Sequence, residues 1–284
     1  MTRLAAMSVL TASAGVIALL VLGVAPGCGP SKLSKAYEVY DKKVEAILDR
    51  EKAAWQKLSS LVSEQGHSET PDPQRLREVL TGESIPFYDA LKGEVAAVAP
   101  DQPELASAHA TLVKYADRRA TFAHLVAGSL DVIARGDPWT ALDAKGRALQ
   151  SAMMDYARRL EGRVAPPDQR FALVQSADRD FQRLCVEPLA EGRLTAAQMG
   201  EIVKTRLQPK IREARNSSFD DDEEGRTVRA AVVACDEFLD AAQAAGPLLE
   251  TSARLTRDLE ALDRECTELF KKFMEEMKAI RGRM

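Results

Sequence analysis

The chain has 284 residues, 39 basic and 43 acidic, for a formal net charge of −4. That balance leaves no electrostatic footprint for nucleic acid, and 45% hydrophobic with 29% charged residues is a globular composition able to build a sizeable core. Aromatic residues make up only 5% and alanine is abundant, which suits close-packed helices better than sheets.

The N-terminus carries one basic residue, Arg3, then an apolar stretch from Leu4 to Ala25, then Gly27-Cys28 ahead of a polar run. A charged start, an apolar middle and a small-residue cleavage zone form the plan of a secretory signal, which sets residues 1–27 apart from the fold. Ending on Gly27-Cys28, the segment resembles a bacterial lipoprotein precursor. In that class the chain is cut before the cysteine, whose thiol and new amino group are acylated. The resemblance therefore implies lipid attachment at Cys28, a short tether over residues 28–32 and an exported body held at a membrane, the outer membrane facing the periplasm. Two rivals stay open. Leu4 to Ala25 is long enough, at ~20 residues per bilayer crossing, to remain as an uncleaved anchor, and cleavage at Ala25-Pro26-Gly27 would release a soluble protein. Cys28 favours the lipoprotein, because a lone thiol directly after the apolar run and ahead of Gly29-Pro30-Ser31 is poorly explained by either rival; two or more acyl chains on it would supply stable anchoring. All three readings put the body outside the cytoplasm.

Helix punctuation organises that body. Tyr37, Tyr40, Val44, Ile47, Trp55, Leu58 and Val62 recur at steps of three and four, which predicts a long helix from about Leu33 to Gln65, ended by Gly66. Asp72-Pro73 opens a second helix, which Gly82 and Pro86 are expected to interrupt before it resumes to Val98. Asp101-Gln-Pro-Glu104 has the form of a capping box, and Leu105, Leu112, Phe122, Val126 and Ile133 carry a third helix to Gly136. A fourth runs from Asp137-Pro138 to about Val164, where Pro166-Pro167 forces a new start near Asp168; the fifth ends at Gly192. Thr195-Ala-Ala-Gln198 is a second capping box, opening a sixth helix that passes Pro209 and stops near Asn216.

The acidic run Asp220 to Glu224 suits the partly positive N-terminus of a following helix better than a calcium loop, whose ligands alternate about a glycine. Gly246-Pro247 is expected to kink or break that helix from the last segment. There Leu248, Ser252, Leu255, Leu259, Leu262, Cys266, Leu269, Phe273 and Ile280 form a heptad-like seam.

The chain also repeats faintly. Trp55-Gln-Lys-Leu58 and Gly66 correspond to Phe181-Gln-Arg-Leu184 and Gly192 at an offset of 126. The offset then becomes 123, pairing Pro86 with Pro209, Tyr115 with Phe238 and Leu125 with Leu248. The expectation is an all-α fold, an elongated helical bundle of about seven helices arranged as two duplicated three-helix units. The first unit is 33–136 and the second 166–284, bridged by a helix over 137–165.

Few residues suggest chemistry. His109 and His124 lie fifteen residues apart on one predicted helix, ~22 Å along its axis, and so cannot share a metal. Glu64-Gln-Gly-His67 has the spacing of half a di-iron motif, but only one copy exists and it contains a helix-breaking glycine. Nucleophile elbow, phosphate loop, dinucleotide fingerprint and zinc helix are all missing, so no catalytic residue, metal or cofactor is assigned. Cys185, Cys235 and Cys266 are read as small buried hydrophobes, and Tyr37, Tyr40 and Trp55 as core. The basic tail Lys271, Lys272, Lys278, Arg281 and Arg283 suits the helix dipole, with anionic lipid as a minority reading. The functional expectation is a non-enzymatic, lipid-anchored envelope component that binds or scaffolds an unidentified envelope protein. The alternative is a periplasmic carrier of a small or lipidic ligand held between the two helical units.

Overall fold

The computed structural model describes residues 32–67, 73–134, 137–161, 168–219 and 222–284. The signal-like segment and Cys28 lie outside the described residues. Among those described there is no strand, and the fold is all-α. Helix α1 is Lys32–His67, α2 Pro73–Val79, α3 Ile85–Ala97, α4 Ala106–Ala134 and α5 Asp137–Leu160. The chain continues as α6 Gln169–Phe181, α7 Glu187–Ala190, α8 Ala196–Ile202, α9 Gln208–Asn216 and α10 Glu223–Arg281. Three π turns, Leu80–Ser84, Gln182–Val186 and Val203–Leu207, join α2 to α3, α6 to α7 and α8 to α9, which leaves seven continuous helical segments among the described residues.

The interruption expected at Gly82 and Pro86 takes the form of the π turn Leu80–Ser84, after which the helix resumes. Each π turn ends two residues before a proline, ahead of Ile85-Pro86, Glu187-Pro188 and Gln208-Pro209, and the amide just before that proline reaches back five residues to Leu80, Gln182 or Val203. A proline inside an α-helix removes one amide and clashes with the carbonyl four residues earlier. Widening the preceding turn by one residue accommodates the ring, so the helix passes through.

Two expectations give way. Helix α10 is continuous through Pro247, without a break after Gly246. Burial of Ala242, Ala245 and Leu249 on either side holds it, and Gly246 lets it approach α8, since a Cβ there would stand 3.0 Å from Met199 Cε. The capping box at Asp101 does not form: a 3-10 turn, Pro103–Leu105, begins after Gln102, whose side chain makes no capping bond. Helix α1 runs one residue past Gly66, to His67, and the signals at Asp72, Gly136, Pro166-Pro167, Asp220 and Asp221 lie outside the described residues. Four others are seen. Thr195 and Gln198 make a reciprocal capping box, Asp168 accepts from the Arg170 amide, and Asp222 accepts from Gly225 N at 2.7 Å. Gly192, at φ 74°, ends its helix in the left-handed conformation, with Arg193 N donating to Pro188 O at 2.8 Å.

The chain forms two compact units, one of residues up to Leu130 together with Asp258–Met284, the other Asp131–Arg257. This grouping differs from chain order. Leu142, Leu149 and Tyr156 of α5 belong to the second unit's core, while Leu259, Cys266, Phe273, Met277 and Ile280 belong to cores of the first. An apolar seam must find a packing face, and contacts rather than sequence proximity decide which. Each unit is thus a bundle of four helical segments: α1, α2–α3, α4 and Asp258–Met284 in one, α5, α6–α7, α8–α9 and α10 up to Arg257 in the other.

The two bundles repeat one another locally. At the 123-residue offset the π turn Leu80–Ser84 with Pro86 matches Val203–Leu207 with Pro209, and buried Leu105, Ala108 and Leu112 match buried Val228, Ala231 and Cys235.

Candidate functional site

Most core positions are apolar, which makes one layer of the first unit distinctive. Its four helical segments each send a polar group inward: Glu51 from α1, Tyr88 from α3, Tyr115 and Arg119 from α4, and Asp263 from the end of α10. Each lies on or beside an apolar stripe, so the helix geometry that buries Ile47, Trp55, Leu112, Phe122 and Cys266 buries these as well.

Arg119 is the hub. Its Nε donates to Tyr115 OH at 3.1 Å and lies 3.2 Å from Glu51 Oε1, while Nη1 is 4.0 Å from Asp263 Oδ1. The guanidinium carbon stands 4.2 Å from the Trp55 ring centroid, a cation–π contact. The Arg119, Glu51 and Asp263 side chains are only 10%, 8% and 15% exposed. Glu51 Oε1, Tyr88 OH, Arg119 Nη1 and Asp263 Oδ1 are buried without a partner of regular hydrogen-bond geometry among the described residues.

Two carboxylates facing one guanidinium in a dry layer have predictable electrostatics. Burial pushes the Glu51 carboxyl above its ordinary value, against the opposing pull of Arg119 and the neighbouring tyrosine hydroxyls. Asp263 is raised by burial too, again against Arg119. Burial works against the Arg119 charge, but Tyr115, Glu51 and Tyr88 outweigh it and hold the guanidinium protonated. Chemically the layer can hold a proton, and it is packed between helices rather than set in a cleft.

The second unit shows that the frame does not need this layer. At the corresponding positions stand Ala177, Phe181, Ile211, Phe238 and Ala242, all buried or packed on the core. Beside them Asp178 is half-buried, and burial alone raises its carboxyl. A buried charge pair is weak evidence for stability, because similar apolar groups often serve as well or better. A four-helix frame of this kind can therefore be built without such a layer.

The residues singled out by sequence do not meet. His109 Nδ1 is 3.3 Å from Tyr40 OH, whereas His124 Nε2 is 3.1 Å from Asp89. Glu64 and His67 lie in the last turns of α1, and their side chains are outside the described residues. Cys185, Cys235 and Cys266 are free and buried; burial pushes their thiols up to about 11, 12 and 11. Tyr37, Tyr40 and Trp55 are core, and the basic residues of the tail are exposed. No cluster of His, Cys, Asp or Glu among the described residues has the makings of a metal site. Sequence reasoning missed Glu51, Arg119 and Asp263, although each is a charged residue interrupting or adjoining an apolar helical stripe.

One surface feature stands apart. In the second unit, adjoining open recesses of ≈ 410 and ≈ 900 Å³ run along α5 and α10, with Ala148, Ala152, Ala230 and Ala234 in their walls. Val233, 42% exposed, lines the smaller. No protein-family model, curated protein or solved structure matches this chain.

Proposed function

We propose that the chain is a lipid-tethered, non-enzymatic helical bundle of the bacterial cell envelope, acting as a binding or scaffolding component. Its address rests on the pattern of Arg3, Leu4 to Ala25 and Gly27-Cys28, with acylation of Cys28 and a body facing the periplasm from the outer membrane. Among the described residues no helix is long and apolar enough to cross a membrane. In this reading acylated Cys28 supplies the attachment.

The binding role rests on one observation, the open recess along α5 and α10, whose walls combine Ala148, Ala152, Ala230 and Ala234 with charged side chains such as Arg158, Arg226 and Arg229. Small side chains allow a partner helix to approach closely, and an open groove offers a surface rather than a chamber in which to sequester a reactant. Exposed charged pairs, Arg118–Glu265 at 2.9 Å in the first unit and Lys145–Glu237 at 2.7 Å at the rim of the recess, keep the outer faces polar.

The test is cross-linking in native membranes with wild type, Cys28→Ser and Val233→Glu. The expected result is a protein adduct that Val233→Glu weakens, with Cys28→Ser leaving the membrane fraction. Membrane retention of Cys28→Ser would contradict the tether. A co-purifying small molecule with no protein adduct would favour the ligand carrier instead.

A further inference from the structure

Two similar fourth helical segments complete two similar frames in this chain. Leu142, Leu149 and Tyr156 of α5 and Cys266, Phe273 and Ile280 of the terminal segment are all buried, with the same heptad spacing and an offset of 124. In chain order α5 follows α4, yet it completes the second unit, while Asp258–Met284 completes the first.

The contacts beside the seams differ systematically. In the first unit, α4 meets the terminal segment through Ser107 Oγ donating to Glu276 at 2.9 Å, Arg118 Nε donating to Glu265 at 2.9 Å, and Arg119 facing Asp263 at 4.0 Å. The corresponding positions in the second unit are Ala230 with Ala152, Ala241 with Ala141, and Ala242 with Trp139. Conversely, the second unit has Lys145 Nζ donating to Glu237 at 2.7 Å, where the first has Leu269 and Lys114.

We propose that these pairs form a pairing code that sends Asp258–Met284 to α4 and α5 to α10, with the buried Arg119 layer as its central element. The wrong pairings are penalised. On α4, α5 would bring Lys145 against Lys114 and deprive Arg119 of the Asp263 carboxylate. On the second unit, the terminal segment would set Asp263, Glu265 and Glu276 against Ala242, Ala241 and Ala230. Removing the partner of a buried charge is strongly unfavourable, and like-charge contacts discriminate against wrong partners. The code accounts for the polar layer in one unit and for its apolar counterpart in the other. A buried polar group that fixes pairing at the expense of stability is the best-attested use of such groups.

Hydrogen exchange of the full chain, read segment by segment, tests this. A variant carrying Ser107→Ala, Lys114→Glu, Arg118→Ala and Arg119→Ala writes the second unit's code onto α4. Protection of residues 258–284 should fall by about tenfold or more, while residues 168–257 keep theirs. Separately, Lys145→Glu should lower protection across 137–160 by about two- to fivefold, because the pair is exposed, and adding Glu237→Lys should restore it. If the four-substitution variant does not fold, the Lys145→Glu and Glu237→Lys pair decides alone. Unchanged protection of 258–284 in a folded four-substitution variant, no effect of Lys145→Glu, or failure of Glu237→Lys to rescue it would overturn the code.

Discussion

The Arg119 guanidinium lies 4.2 Å from the centroid of the Trp55 ring, in the same layer that buries Glu51 and Asp263. Arg119→Ala strands two carboxylates in that layer and should cost about 3–5 kcal/mol, the usual loss when one partner of a buried pair is removed. The volume-conserving triple variant Glu51→Leu, Arg119→Met and Asp263→Leu leaves no charge behind and should stay within about 1 kcal/mol of the parent or exceed it. Urea denaturation in a Trp139→Phe background, where Trp55 is the remaining tryptophan, measures both. Equal losses would mean that the layer is structural after all.

The same layer sets a pH dependence whose sign is opposite to ordinary acid denaturation. Burial raises Glu51 above 4.5 and Asp263 above 3.8 in the folded chain, so folding takes up protons. Their stabilising contribution is complete below the unfolded values and is lost as pH rises through the folded ones. Asp168 works the other way. Its hydrogen bond from Arg170 holds it below 3.8, so its contribution is present above that value and lost on further acidification. As pH falls from neutral toward the ordinary Glu51 value, the urea midpoint reported by Trp55 should rise, and Glu51→Gln should flatten that rise. An unchanged slope in Glu51→Gln would remove Glu51 as its source.

Gly192 is constrained twice. Its φ of 74° disfavours any side chain, and a Cβ there would stand 2.9 Å from Arg257 Cζ, whose Nη1 donates to the carbonyls of Leu189 and Ala190 at 2.9 and 2.7 Å. Gly192→Ala should destabilise the second unit by about 1–2 kcal/mol from backbone conformation alone. Arg257→Ala should cost about 1.5–3 kcal/mol through the lost charged hydrogen bonds. Thermal unfolding checks both, and a neutral Gly192→Ala would contradict the observed turn.

How much of this was legible in sequence follows from the range of each interaction. Thr195 with Gln198, Asp168 and Gly192 act within a few residues of themselves, and their roles were readable directly. At Pro86 the interruption was readable but not its form, a widened turn, and at Pro247 the helix runs on without a break, because a proline's cost depends on whether the helix can widen or be held by burial nearby. The grouping of Asp258–Met284 with α4, and the meeting of Glu51, Arg119 and Asp263, are relationships across helices. Periodicity shows that a seam needs a partner but not which one. The alanines at 230, 241 and 242 acquire meaning only beside Ser107, Arg118 and Arg119.

The three body cysteines test the sealing of both cores. Buried, with thiols raised to about 11 or 12, Cys185, Cys235 and Cys266 should resist an aromatic disulfide reagent in the native protein and react on denaturation. In protein taken from native membranes three thiols should appear, since acylated Cys28 contributes none. Rapid native reaction would mean an open core, and a fourth thiol an unmodified Cys28.

The most direct measurement is the intact mass of the chain purified from its own membranes. The account predicts a species beginning at Cys28 and carrying acyl chains; an unmodified full-length mass would contradict it and make Leu4 to Ala25 the anchor.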